Sequence, residues 1–303
     1  MIYLSRITVF MTVVLVFWSG EIYSVEETKP CPVVFSYEGY AFGTIQLPYR
    51  QAVITQGQPP SSLVIYLHGG TGKGSDNISH MKEPGIDAIA CFLSENHSNA
   101  VFVAPQCPDD ESWAGIMLDV LEKFIFDCQK RFSDVEDIYI LGGSMGGTGT
   151  WTMVSKYPGL FSAAMPVAGN PSRCDAQNVA STPLLTVMRT DDKVIGLDAV
   201  IGFTSQLEQF GAEYVCEIED GWSHEDTCIR SYTPDRLAWV FSHSRQYGGS
   251  CVVEAFDETP AVVETIYSTL SGLHVSQPSY GYYIRQQVCS DGSVKTCKLY
   301  VSP

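Results

Sequence analysis

Ile138-Tyr139-Ile140-Leu141-Gly142-Gly143-Ser144-Met145-Gly146 is an apolar run that ends in a glycine-rich turn with a serine at its apex. The first four residues read as a buried strand, and a helix opens near Met145. A serine at such a strand-to-helix turn stands out at the end of a sheet. Its neighbours must be small, because the backbone bends sharply and other segments approach closely. Gly142 and Gly146 supply that room. Two readings fit these residues alone: a serine nucleophile, or a helix-capping serine in a glycine-rich loop. The rest of the chain decides between them.

Outward from this turn, further short apolar runs cover Leu63 to Leu67, Ala100 to Ala104, Ala163 to Val167, Leu184 to Met188 and Tyr214 to Ile218. Between them Met117, Val120, Leu121, Phe124, Ile125 and Cys128 recur at helical spacing, and Ala199 to Phe210 and Arg236 to His243 also suit helices. Thr233-Pro234 is an N-cap and first-turn pair. Such alternation predicts an α/β fold with a mainly parallel sheet flanked by helices, and ligands at the carboxyl ends of its strands. Before this core, Tyr37 to Tyr49 with Gly39 and Gly43 reads as an antiparallel edge hairpin. Gly248-Gly249 marks a boundary, and the tail beyond it reads as a small, cysteine-containing α+β extension. Within that tail, Val252 to Phe256 reads as a strand, Thr259-Pro260 starts a helix through about Ser271, and Tyr282 to Cys289 with Val294 to Val301 reads as a hairpin.

A serine hydroxyl needs a base within reach, an acid to orient that base, and donors for a developing oxyanion. Asp191 and Asp192 both lie in the loop after the run ending at Met188, and they compete for the acid's role. Asp192 is favoured, because Val194-Ile195 after it can pack back under the sheet, whereas Asp191 reads as a solvated turn residue. His224 is the one histidine placed after a late strand; His80, His97, His243 and His274 lack that setting. The backbone amides of Met145, next to the serine, and of Gly70, in the turn His68-Gly69-Gly70, are the candidate oxyanion donors. Each such donor is worth about 3 kcal/mol of barrier lowering. His68 reads as a residue that stabilises this turn. Gln106, Trp113 and Trp222 are expected near the mouth, with indoles able to contact an aryl or sugar group, although ordinary packing explains tryptophans equally well. Gly72-Lys73 invites a phosphate-loop reading, but Gly74 stands where that loop requires Ser or Thr.

The chain has 303 residues, enough for one catalytic-sized α/β domain with a small addition, and a formal charge of -16. That charge argues against nucleic acid and anionic membrane surfaces as partners and fits a soluble extracellular protein. Arg6 followed by the apolar stretch from Ile7 to Trp18 reads as a secretory signal cleaved near Ser24; the run is short for a bilayer span, and an uncleaved anchor is the alternative reading. The expected division is therefore 1–24 signal peptide, 25–247 catalytic domain and 248–303 extension, with a secreted, periplasmic or extracellular location. The ten cysteines contain no CxxC pair, which argues against zinc and for disulfides in an oxidising compartment. Asn77-Ile78-Ser79 and Asn96-His97-Ser98 are glycosylation sequons in a eukaryotic host. There is no internal repeat and no low-complexity stretch.

Taken together, Leu67-His68-Gly69-Gly70, Gly74 to Asn77, Ala104 to Pro108, Ser112-Trp113, Gly142 to Trp151, Tyr157-Pro158, Met188 to Ile195 and Trp222 to Glu225 resemble the secreted α/β-hydrolase esterases. That family is variously described as dienelactone-hydrolase-like, feruloyl or polyhydroxybutyrate-depolymerase-like, phospholipase/carboxylesterase or prolyl-oligopeptidase-type. The order Ser144, Asp192, His224 is the α/β-hydrolase order. The resemblance implies Ser144 as nucleophile, Asp192 as acid, His224 as base, Gly70 and Met145 as oxyanion donors, and no metal or organic cofactor. The chain departs from the family at Met188-Arg189, where His-Gly is common, and beyond Gly248 the resemblance ends. The expected activity is cleavage of a small-molecule or polysaccharide-linked ester. The rival readings are a peptidase of the prolyl-oligopeptidase type and a catalytically silent fold used for binding.

Overall fold

The computed structural model describes residues 31–96, 98–245, 262–269, 272–276, 281–289 and 294–301. The segment expected to be a signal peptide and the run from Val252 to Phe256 lie outside these residues. The edge hairpin is present as β1 (Ser36–Phe42) and β2 (Ile45–Ile54), antiparallel around Gly43. The six buried runs form β3 (Ser62–Leu67), β4 (Ala100–Pro105), β5 (Asp137–Gly143), β6 (Ala163–Val167), β7 (Leu184–Arg189) and β8 (Tyr214–Glu219). The sheet runs β1-β2-β4-β3-β5-β6-β7-β8. β4 pairs antiparallel with β2, and every other pair from β4 to β8 is parallel. From β3 the chain crosses first to β4 on one side and then to β5 on the other, so connections leave the ends of β3 and β5 in opposite directions. That switch point opens a crevice at the carboxyl edge of the sheet.

Alternate residues of β3 serve two cores. Leu63, Ile65 and Leu67 pack with Phe124, Trp151, Val154 and Val200, which lie on α2 (Ile116–Arg131), α3 (Met145–Lys156) and α5 (Leu197–Leu207). Val64 and Tyr66 pack on the opposite face with Ile86, Ile89 and Leu93 of α1 (Pro84–Glu95) and with Leu237 and Val240 of α7 (Pro234–Phe241). Two-sided burial of this kind makes parallel strands apolar throughout, and each buried aliphatic side chain stabilises the fold by about 1.5–3 kcal/mol. Thr233 sits at the N-cap of α7 as its sequence predicts, although its side chain makes no capping bond. The short α4 (Ala176–Val179) and α6 (His224–Arg230) complete the layers. Among the described residues no helix is long and apolar enough to cross a membrane.

In the tail, β9 (Val262–Thr269), β10 (His274–Val275), β11 (Gly281–Cys289) and β12 (Val294–Val301) form an antiparallel sheet in the order β10-β9-β11-β12. The hairpin expected there is β11 with β12. The helix expected from Thr259 to Ser271 is instead strand β9 over its described part. Thr265, Ile266, Tyr267 and Thr269 are β-branched or aromatic, and pairing with β11 supplies partners for their backbone. The described part of the extension is therefore all-β.

No disulfide joins two of the described cysteines. Cys128 lies against Arg131, Cys174 against Thr152 and Ser155, and Cys228 against Gly143 and Ser144. Cys31 and Cys91 differ, because their thiols lie next to each other.

β5 ends in the turn that presents Ser144. Ser144 has φ 56° and ψ -114°, a combination that costs a residue with a side chain of order 1–3 kcal/mol. Close packing around it enforces this conformation: a Cβ on Gly146 would stand 1.7 Å from the carbonyl oxygen of Leu67, and one on Gly142 would stand 2.6 Å from the same atom. Gly146→Ala is expected to lower the unfolding free energy by about 3 kcal/mol or more, as read by urea unfolding followed by circular dichroism.

Candidate active site

β5, β7 and β8 each deliver one side chain to the carboxyl edge of the sheet. Ser144 caps the turn into α3, and its amide donates to Val167 O at 2.9 Å, which ties the turn to the neighbouring β6. Asp192 follows β7 and His224 opens α6 after β8. His224 Nδ1 stands 2.7 Å from Asp192 Oδ2, and His224 Nε2 stands 2.9 Å from Ser144 Oγ. An ionised carboxylate can only accept, so Nδ1 carries the proton and donates it to Asp192. Nε2 is left with a lone pair directed at the serine hydroxyl, which donates to it.

The Asp192 carboxylate is fully buried, while the imidazole keeps 20% of its side-chain surface. Burial acts to raise the Asp192 carboxyl, but the His224 bond and the amides of Ile195 and Val194 outweigh it and hold the group below its ordinary range. Those amides donate to Asp192 Oδ1 at 2.9 and 2.8 Å, so both carboxylate oxygens are occupied. Asp191 points into solvent and pairs with Lys193. Arg189, in the place where the resembling family has glycine, donates from Nη1 to Asp191 O at 2.6 Å and braces this loop.

Gly70 opens a single 3-10 turn after β3, and Met145 opens α3. First-turn amides have no acceptor within their own helix, so both are available to an incoming oxyanion. His68 sets the orientation of the first. Its Nε2 accepts the Cys107 amide at 2.9 Å, which requires the neutral ring with the proton on Nδ1, and Nδ1 donates to Gly69 O at 2.6 Å. Gly69 O and the Gly70 N–H belong to one trans peptide unit and point in opposite directions. Holding the carbonyl inward therefore turns the amide outward. Burial pushes the His68 imidazole down to about 4, and it does the same to His80, whose Nε2 bonds to Ala104 O at 3.0 Å.

Two residues expected at the mouth are elsewhere. Gln106 is 0% exposed, and its amide holds the loop after β3 from within: Nε2 donates to Gly72 O at 3.1 Å and Asp76 Oδ1 at 2.8 Å, while Oε1 accepts the Asn77 amide at 2.6 Å. Trp113 is 1% exposed, and its Nε1 donates to His68 O at 2.9 Å. Both support the turn and do not line an opening. Trp222 is half-buried, with Arg230 and Arg236 near its ring at 5.9 and 6.0 Å. Glu83, which the sequence reading passed over, accepts the Gly69 amide at 2.6 Å from beneath the same turn. Its only sequence signal is a place before Pro84, which reads as a helix start.

No protein-family model matches the sequence. Protein usf of Aquifex pyrophilus is 24% identical over 103 residues, which cover 33% of this chain and 43% of that protein. Among solved structures, a thermostable esterase is 25% identical with a TM-score of 0.66, and the match covers 70% of this chain and 63% of that one. A candidate dienelactone hydrolase from Klebsiella pneumoniae subsp. pneumoniae MGH 78578 is 15% identical with a TM-score of 0.54, over 71% of this chain and 99% of that one. The chain thus spans less than two thirds of the length of the curated relative and of the esterase. The mostly parallel eight-stranded sheet with flanking helices is the α/β-hydrolase fold. Its solved neighbours include the esterases and dienelactone-hydrolase-like proteins that the sequence motifs resemble.

His68 and His80 lie below the ordinary 6.5 for imidazole, so each favours the folded state fully above that pH and loses its contribution as pH falls towards 4. Each accounts for at most about 3 kcal/mol. His68→Asn and His80→Asn variants are expected to flatten the fall in melting temperature between pH 6.5 and 4 while being less stable at neutral pH.

Proposed function

We propose that the protein is a serine hydrolase that cleaves carboxylic esters through an acyl-enzyme. The observation that carries this reading is the continuous hydrogen-bond line from Ser144 through His224 to the buried Asp192. His224 Nε2 takes the Ser144 proton as Oγ attacks the ester carbonyl, and the Asp192 carboxylate stabilises the imidazolium that forms. The amides of Gly70 and Met145 donate to the oxyanion. Collapse expels the alcohol, which receives the proton from His224. Water activated by the same nitrogen then releases the acid and restores Ser144. Likeness to the thermostable esterase supports this chemistry. We assign the substrate to polysaccharide-linked or hydroxyalkanoate esters, with the exposed part of the Trp222 indole against the sugar or acyl group.

Ser144→Ala is expected to lower turnover of short p-nitrophenyl esters by about 10⁴-fold or more, and Asp192→Asn by about 10³ to 10⁴-fold. Retained turnover in Ser144→Ala overturns the assignment. A fluorophosphonate probe labels the wild type and not Ser144→Ala; an unlabelled wild type is the result a binding-only fold gives. Faster cleavage of proline peptides than of acetyl, butyryl, feruloyl and hydroxybutyryl esters favours a peptidase.

Export belongs to the same proposal. Residues 1–24 are removed, and the neighbouring thiols of Cys31 and Cys91 lose two protons and two electrons to the oxidising compartment to form a disulfide. Mass mapping without reductant is expected to find a mature N-terminus near residue 25 and a peptide joining Cys31 to Cys91. A mature chain that still carries residues 1–24, or free thiols at both positions, contradicts export.

A further inference from the structure

Glu83 occupies the residue before α1, and its side chain makes no cap bond to that helix. Its carboxyl turns back under the sheet edge. Oε1 accepts the Gly69 N–H at 2.6 Å, and Oε2 accepts the Tyr66 hydroxyl at 2.9 Å. Tyr66 on β3, Tyr232 beyond α6 and Cys228 on α6 are the titratable groups that face it. The two tyrosine rings meet edge-on at 5.6 Å, and the Cys228 thiol packs behind Gly143. Among the described residues no cation pairs with Glu83, which leaves its charge balanced only by hydrogen bonds. A Cβ on Gly69 would stand 3.2 Å from Glu83 Oε1 and 3.7 Å from Ser144 Cβ. Carboxyl and serine are therefore both close neighbours of the same glycine.

We propose that Glu83 is a positioning residue for the oxyanion turn, its carboxylate holding the Gly69 N–H while His68 holds the Gly69 carbonyl. Together they fix both peptide planes that aim the Gly70 amide. The catalytic consequence rests on the esterase reading; the clamp itself does not. Burial pushes the Glu83 carboxyl up to about 7 from an ordinary 4.5, while the Tyr66 and Gly69 bonds pull it back. Folding therefore favours the neutral acid: its advantage is complete below about pH 4.5 and is lost as pH rises through about 7. The clamp favours the opposite state, because a carboxylate accepts the amide more strongly than a carboxylic acid does. On protonation Oε2 becomes a donor and must re-pair with the Tyr66 oxygen, which loosens the hold on Gly69. Stability and turnover are thus driven in opposite directions by one proton.

Glu83→Gln keeps the shape and an amide oxygen for Gly69 but carries no charge at any pH. It is expected to lower kcat about tenfold with KM within about twofold, and Glu83→Ala about a hundredfold. The acid limb of log kcat/KM should carry an added step of about tenfold near pH 7 in the wild type that is absent in Glu83→Gln. The melting temperature of Glu83→Gln should exceed that of the wild type at pH 8 and match it at pH 5. Independently of activity, the Gly69 amide resonance should titrate near pH 7 in the wild type and stay fixed in Glu83→Gln. A Gly69 amide that does not titrate, or identical pH–rate profiles for the two proteins, overturns the proposal. If the wild type cleaves no ester, the esterase reading falls while the Gly69 resonance still decides the clamp.

Discussion

The approach of α3 to the end of β3 leaves no space between the Leu67 carbonyl and the backbone of Gly146. Everything at the sheet edge follows from that contact. It forces the chain to reverse over very few residues, places Ser144 at φ 56° and ψ -114°, and lifts the hydroxyl above the strands. The same closeness sets the serine beside the turn that follows β3, because the backbone of Leu67 runs directly into His68 and Gly69. The serine hydroxyl and the neighbouring turn amides are consequently spaced by the main chain itself, and side chains serve to hold them there.

Around this backbone core the protein distributes charge unevenly. Asp192 is a buried anion with both oxygens occupied, His68 and His80 are buried neutral rings, and Glu83 lies poised between its two forms. Each state follows from the partners available. Amide donors and an imidazole favour the anion at Asp192. A backbone donor on Nε2 requires an uncharged ring at His68. Glu83 has one amide and one phenol, enough to moderate the cost of burial but too little to cancel it.

The strands were legible in the sequence because a sheet covered on both faces demands unbroken apolar runs such as Leu63 to Leu67, and no other element of this length reads that way. The order Ser144, Asp192, His224 was legible for a related reason: residues that follow successive parallel strands must emerge on one edge, and these three lie within hydrogen-bond reach there. Direction was not legible. Gln106 and Trp113 stand beside strand ends just as mouth residues do, and only packing shows that both turn inward. At β9 the helix-start signal Thr259-Pro260 concealed the β-branched content that follows it. Glu83 was hidden because its partner lies 14 residues earlier, across two tight turns that carry no hydrophobic period.

His224 is the first residue of a helix, closed in front by reciprocal bonds between Ser223 and Asp226. An imidazole on a slack loop would have to be gathered into place each time it met its partners, losing rotational freedom on every occasion. Here that ordering is completed once, when the chain folds. The same arrangement makes the imidazole's position hostage to seven residues of helix: a partner or modification that frayed this single segment would break its bond to the serine without touching that residue.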